Sequence, residues 1–311
     1  MCGIAGIIYK DQTADIGSDM TAMLQALKHR GPDSTGFGLY GSNSEDGIVM
    51  RVKLAEQEDL NEGFDVRNAI TRRRDEIDRR IDSLGGVVID VEEPTEYAFR
   101  YDLKYDGEIR RLVDYIEDID QVEIQSLGRG LELVKDLGDA ARVSDQYNLQ
   151  GFKGTHAIGH VRMATESDVD IRSSHPFWAY PFYDISVVHN GQLTNYWNMR
   201  RQLERDGMRF QSDCDSELIG VYLANRMNKG HSFEDALRES VDEFDGVFTY
   251  LVATDDALGM VKDVMAAKPM VLYEGDDLIA LASEEGAIRS IVPHEIDTWD
   301  PYEGEVLVWQ T

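Results

Sequence analysis

The chain has 311 residues, 42% of them hydrophobic, and a formal net charge of −28 from 59 acidic and 31 basic side chains. That length and apolar share allow about two folded units with a sizeable core, and so large an acidic excess argues electrostatically against nucleic acid or an anionic membrane as partner. No apolar run approaches the ~20 residues that span a bilayer, no signal-peptide pattern is present, and two cysteines are too few for a disulfide scaffold. A cytoplasmic protein is expected. The scarcity of lysine relative to arginine, together with the acid excess, also suits a high-salt cytoplasm in which self-repulsion is screened.

The chain opens Met1-Cys2-Gly3-Ile4-Ala5-Gly6-Ile7, and the apolar run Gly3 to Tyr9 predicts a buried first strand. Removal of Met1 would leave Cys2 with both a thiol and a free α-amine. The amine, with a pKa of ~7.7–8.0, can take and return a proton for a thiol of pKa ~8.5. Taken alone, Cys2 also reads as a small core residue. A helix from about Met20 to Leu27 leads to Lys28-His29-Arg30-Gly31-Pro32-Asp33-Ser34, which Gly31-Pro32 marks as a loop.

The stretch 45–138 predicts a strand at Ile48–Leu54, a charged helix at Asn61–Leu84, strands at Gly86–Val91 and Tyr97–Leu103, a helix at Gly107–Ile119 and a strand at Gln121–Leu127. The order β-α-β-β-α-β is the ferredoxin-like arrangement, and an inserted subdomain accounts for the length better than an unstructured loop does. Arg72-Arg73-Arg74 and Arg79-Arg80 are interleaved with acids and read as a solvated helix face.

Next come Gly159-His160-Val161-Arg162-Met163-Ala164-Thr165, Ser173-Ser174-His175-Pro176-Phe177, His189-Asn190-Gly191 behind an apolar strand, and Ser212-Asp213-Cys214-Asp215-Ser216-Glu217. By itself Asn190-Gly191 reads as a hairpin turn, and Arg162 and Asp215 each read as ion-pair residues. His29, His160 and His189 lack metal-ligand spacing, so no metal site is expected. Cys214 reads as a packing residue at a helix start. Helices are predicted at Asn195–Arg205, Ser216–Met227 and Ser232–Glu243. Strands are predicted at Phe244–Ala253, Gly259–Val264, Met270–Tyr273 and Leu278–Ala282, as neighbours in one sheet, with a closing strand at Glu303–Trp309.

In this order, these segments resemble the class II glutamine amidotransferases, N-terminal-nucleophile hydrolases that cleave glutamine to glutamate and ammonia. The resemblance covers Met1 to about Asn43 and about Gly154 to Ile291. Within the family it is narrowest with the stand-alone amidotransferase subunits of archaeal-type glutamate synthases and N-methylglutamate synthases, on Gly159 to Ser167 and Ser126-Leu127-Gly128-Arg129-Gly130. It implies an α+β fold, a four-layer αββα sandwich formed by 1–44 and 139–311, with 45–138 inserted.

For the site it implies Cys2 as nucleophile and Asn190 with Gly191 as oxyanion hole, whose donors act where charge develops. Arg162 offers a planar fork to the α-carboxylate of glutamine, with Thr165 beside it, and Asp215 accepts the α-ammonium. The resemblance also places His175 near the carboxylate and makes Arg30 a support of the site. No cofactor motif and no acceptor domain is recognised in the chain. The ammonia therefore implies separate synthase subunits in a hetero-oligomer, carrying FMN and an iron–sulfur cluster. Two other readings stay open: an amidohydrolase acting on another amide, and a non-catalytic regulatory subunit of the same fold.

Overall fold

The computed structural model describes residues 2–41, 47–62, 64–163, 170–182 and 184–311. The chain begins with β1 (Gly3–Tyr9), followed by α1 (Ile16–Ala26) and β2 (Ser34–Tyr40). A second block holds β3 (Ile48–Lys53), α2 (Phe64–Ser83), β4 (Val87–Glu92), β5 (Ala98–Lys104), α3 (Ile109–Glu117) and β6 (Glu123–Gly128). Then come β7 (Leu131–Leu137), α4 (Ala140–Gln146), β8 (His156–Arg162), β9 (Phe177–Trp178), β10 (Ser186–Leu193), α5 (Tyr196–Arg205), α6 (Asp215–Asn228) and α7 (Phe233–Glu243). The remaining elements are β11 (Gly246–Ala253), β12 (Ala257–Lys262), β13 (Val271–Glu274), β14 (Leu278–Ala282), α8 (Glu285–Arg289) and β15 (Val306–Gln310).

Two antiparallel sheets stack face to face, one in the order β13-β14-β1-β8-β2-β7 and the other β15-β12-β11-β10-β9. α1 and α4 lie on the first sheet and α6 and α7 on the second, which gives four layers, αββα. β1 sits inside the first sheet between β14 and β8. It is covered on both faces, which is why it reads as a continuous apolar run rather than an alternating one. Ile4, Ile7 and Ile8 have no exposed surface, and each contributes about 1.5–3 kcal/mol on burial. The strand that carries Cys2 is therefore anchored at its root.

The second block forms its own four-stranded antiparallel sheet in the order β4-β5-β3-β6, with α2 and α3 packed against it and against each other. This is the ferredoxin-like topology, with the first and third strands of the unit in the centre. A buried ion cluster ties it to the sandwich. Glu132 on β7 accepts hydrogen bonds from Arg51 on β3 at 2.5 and 3.1 Å and from Arg100 on β5 at 2.9 Å through each of its oxygens. Burial opposes ionisation of Glu132, yet the two guanidiniums hold its carboxyl below the usual range.

Three sequence expectations change in detail. β7 lies inside the stretch 45–138 but pairs along its length with β2, from Ser34 opposite Leu137 to Tyr40 opposite Leu131, so it is a strand of the sandwich. The C-terminal strands divide between sheets instead of sharing one: β11, β12 and β15 join the second, while β13 and β14 join the first, where β14 supplies the free edge of β1 with its partner. Asn190-Gly191 is not a hairpin turn, because β10 continues through it to Leu193 in register with β11. No helix among the described residues is long and apolar enough to cross a membrane.

Candidate active site

Cys2 sits at the end of β1, where three other segments reach it. From β10, Asn190 Nδ2 donates to the Cys2 carbonyl oxygen at 3.2 Å, and from the turn after α1, Arg30 Nε donates to the same oxygen at 3.1 Å. From the end of β8, Met163 N approaches the Cys2 Sγ at 3.5 Å, and the thiol lies 3.8 Å from the Met163 carbonyl oxygen. Cys2 itself is partly exposed, and its carbonyl oxygen is fixed by two donors.

Arg30 is nearly buried and is held from behind by Glu284, whose Oε1 accepts from Nη1 at 2.6 Å and which also lies 3.1 Å from His29 Nε2. Glu284 follows β14, the neighbour of β1, so Arg30 links Cys2 to the end of the adjacent strand. Gly191 has φ +147°, and a Cβ there would stand 2.1 Å from the Val247 carbonyl oxygen. Only glycine fits at this point of β10.

Arg162 is the last residue of β8, 7% exposed and opposite Ser34 of β2. Its main-chain oxygen accepts from Asp33 N at 3.1 Å, and its Nη1 donates to the Asp170 carbonyl oxygen at 3.4 Å. Asp215 opens α6, and its Oδ2 accepts from Leu193 N at 2.8 Å, which ties the carboxylate to the strand end two residues beyond Gly191. The loop ahead of Asp215 is fixed by Glu217, which accepts from Gln211 N at 2.6 Å and from Ser212 N and Oγ at 2.8 and 2.6 Å.

His175 lies with His160 and His189 in a buried group: ring centroids are 3.9 Å apart for His175 and His160 and 6.5 Å apart for His175 and His189. Among the described residues, neither ring nitrogen of His175 has a hydrogen-bond partner, nor does Nε2 of His160 or of His189. His189 Nδ1 lies 2.8 Å from Ser216 Oγ. Burial, reinforced by neighbouring imidazoles and Arg162, pushes His160 down to about 3 and His175 well below its ordinary value; burial also lowers His189. All three are neutral imidazoles at neutral pH, so they fill the space beside Arg162 without adding positive charge. Burial and the adjacent Asp215 push the Cys214 thiol up to about 11, so it is a poor nucleophile. No group of three or more His, Cys, Asp or Glu residues among the described residues could hold a metal ion.

Of the residues proposed from sequence, Cys2, Arg30 and Asn190 are in direct contact, and Arg162 adjoins Met163 at the sulfur. Gly191 follows Asn190, Asp215 is tied to the end of the same strand, and His175 lies in the buried group that includes His189. Thr165 lies outside the described residues. Ser216 and Glu217 stand in the run Ser212 to Glu217 without a role assigned from sequence, and the contacts of these two, of Glu284 and of His160 with His175 depend on approaches that the linear order does not show.

Residues 160–290 match the family described as a glutamine amidotransferase domain. A candidate glutamine amidotransferase of Methanothermobacter thermautotrophicus is 39% identical over 314 residues, covering 100% of both chains. The glutamine amidotransferase-like protein GlxB of Rhizobium meliloti is 31% identical, covering 99% of this chain and 98% of its own. Among solved structures, the glutamine phosphoribosylpyrophosphate amidotransferase of Bacillus subtilis aligns with 99% of this chain at TM-score 0.62 and 18% identity. The chain spans about half of that protein, covering 47% of its length. The shared architecture is the N-terminal-nucleophile hydrolase fold, and the chain belongs to the glutamine amidotransferase family.

Proposed function

We propose that the chain is a glutaminase subunit that hydrolyses glutamine to glutamate and ammonia and delivers the ammonia to separate synthase subunits of the glutamate synthase or N-methylglutamate synthase type. The observation that carries this reading is Cys2 next to a strand buried from Gly3 to Ile8, with Asn190 Nδ2 3.2 Å from its carbonyl oxygen and Met163 N 3.5 Å from its sulfur. Release of Met1 frees the α-amine of Cys2 as the base. The amine takes the thiol proton, the sulfur attacks the γ-amide carbon, and the proton passes to the leaving nitrogen as ammonia departs. Water then cleaves the glutamyl thioester, releasing glutamate and restoring the thiol. Asn190 and the Gly191 N–H serve the oxyanion in both steps.

Arg162 grips the α-carboxylate, with Thr165 and His175 beside it; Asp215 accepts the α-ammonium, and Arg30 fixes the Cys2 backbone. The partner subunits carry FMN and an iron–sulfur cluster and work with this chain in the cytoplasm. The test is ammonia release from glutamine by wild type and Cys2→Ala, each alone and with candidate synthase subunits. The reading requires activity that depends on Cys2 and rises when the synthase is added. Full activity of the chain alone, unchanged by any synthase, would make it an independent glutaminase. Activity only on some other amide would make it an amidohydrolase.

A further inference from the structure

We propose that Lys135, outside the residues assigned to the reaction, is a positioning residue that sets Arg162 for the α-carboxylate and links it to the seating of the inserted subdomain. This rests on the reading of Arg162 given under Proposed function.

Lys135 stands on β7 opposite Gly36 of β2, with 4% of its surface exposed. Its Nζ donates to the carbonyl oxygens of Ser174 at 3.1 Å and Arg172 at 3.3 Å, and lies 5.1 Å from the centroid of the Phe177 ring. The segment it holds is pressed onto β2, since a Cβ on Gly36 would stand 1.9 Å from the His175 carbonyl oxygen. Ser174 carries the contact onward: its Oγ lies 2.8 Å from Ser34 Oγ and 2.8 Å from the Asp170 carbonyl oxygen. That same Asp170 oxygen accepts from Arg162 Nη1, and Ser34 is the residue paired with Arg162 across β2 and β8. A continuous set of polar contacts thus runs from Lys135 to Arg162.

The same Nζ of Lys135 also meets the insertion. Glu123 of β6 is 4% exposed; its Oε1 lies 3.9 Å from Lys135 Nζ, and its Oε2 lies 3.0 Å from Lys53 Nζ on β3 and 3.4 Å from Arg172 Nε. Burial favours loss of the Lys135 proton, and Glu123 opposes that loss. Burial disfavours the Glu123 charge, but Lys53 and Lys135 keep its carboxyl below the usual range. A buried ammonium is costly without partners, and the aliphatic neighbours Leu133 and Val134 show that the core of β7 can be filled without one. What Lys135 adds is a fixed grip on two carbonyls, with a carboxylate of the inserted sheet beside its ammonium. Movement of that sheet reaches Arg162 by this route.

The test uses the full chain as Lys135→Met and Glu123→Gln, with kcat and KM measured for glutamine and for 4-aminobutanamide, which is glutamine without its α-carboxylate. Lys135→Met should raise KM for glutamine about 10- to 100-fold, the scale of a displaced binding group, with kcat little changed. It should leave kcat/KM for 4-aminobutanamide at the wild-type value. Glu123→Gln should show the same pattern more weakly, and adding Lys135→Met to Arg162→Lys should cost nothing further. If Lys135→Met does not fold, the isosteric Glu123→Gln decides. Wild-type KM, equal losses on both substrates, or additive losses with Arg162→Lys would overturn the inference. A wild-type chain inert toward glutamine would overturn the functional reading and this inference together; an active wild type with unresponsive variants would overturn this inference alone.

Discussion

Asn190 on the second sheet donates to the carbonyl oxygen of Cys2 on the first at 3.2 Å, so this amide and the backbone of the proposed nucleophile are held together across the stacked sheets. In the proposed oxyanion role, this side-chain amide would act on charge that develops at the reacting carbonyl more than on the ground state. Asn190→Ala should therefore lower kcat by ~10²–10³ with a smaller effect on KM, the signature of a transition-state contact. Steady-state ammonia release over a range of glutamine concentrations separates the two constants. A change confined to KM would remove Asn190 from the oxyanion hole.

The two cysteines should differ sharply in reactivity. Both cysteines are partly exposed, but desolvation of its thiol and the adjacent Asp215 push Cys214 up to about 11. A glutamine-analogue electrophile should label Cys2 alone, as read by peptide mass spectrometry, and Cys2→Ala should abolish both labelling and glutaminase activity while leaving the fold intact. Label on Cys214 would sink the assignment.

Arg162→Lys should be damaging despite retaining the charge, because a point charge cannot reproduce a planar fork. Asp215→Ala should also raise KM for glutamine, and it removes the acceptor of Leu193 N, so some loss of thermal stability should accompany it. Gly191→Ala should lose about 1–3 kcal/mol or more of stability, since its φ is +147° and the new methyl would collide with Val247. Mild and equal effects of Arg162→Lys and Asp215→Ala on KM would place the pocket elsewhere.

The three buried histidines predict acid lability. Each is neutral in the folded chain, with a pKa depressed below the ordinary ~6.5 that it regains on unfolding, so below that pH the unfolded state binds more protons. Their contribution is fully present above pH ~6.5 and is lost as pH falls toward the folded values, about 3 for His160. Urea unfolding between about pH 6 and 4 should show stability falling with pH, and His160→Gln should reduce that slope by about 1.4 kcal/mol per pH unit. An unchanged slope would mean that His160 is already protonated in the native state.

Local order determined much of this protein. The apolar run after Cys2 made β1 predictable, the β-α-β-β-α-β order made the inserted sheet predictable, and residue types such as the fork of Arg162 carried their chemistry in the linear chain. Other features depended on partners distant in sequence. β7 follows the inserted block by only two residues, but its hydrogen bonds lie with β2, nearly a hundred residues earlier, so its membership could not be read locally. Asn190-Gly191 looked like a turn because that pair favours one, and cross-strand pairing with Thr249 and Phe248 overrode the preference. The three histidines have no common spacing, and only the approach of β8, β10 and the segment before β9 brings them together and strips them of water, which is what fixes their charge. Lys135 and Glu123 looked like ordinary members of a charged chain. Burial at the junction of two sheets made them an internal ion pair, because the cost of desolvating a charge is set by the folded surroundings and not by the residue itself.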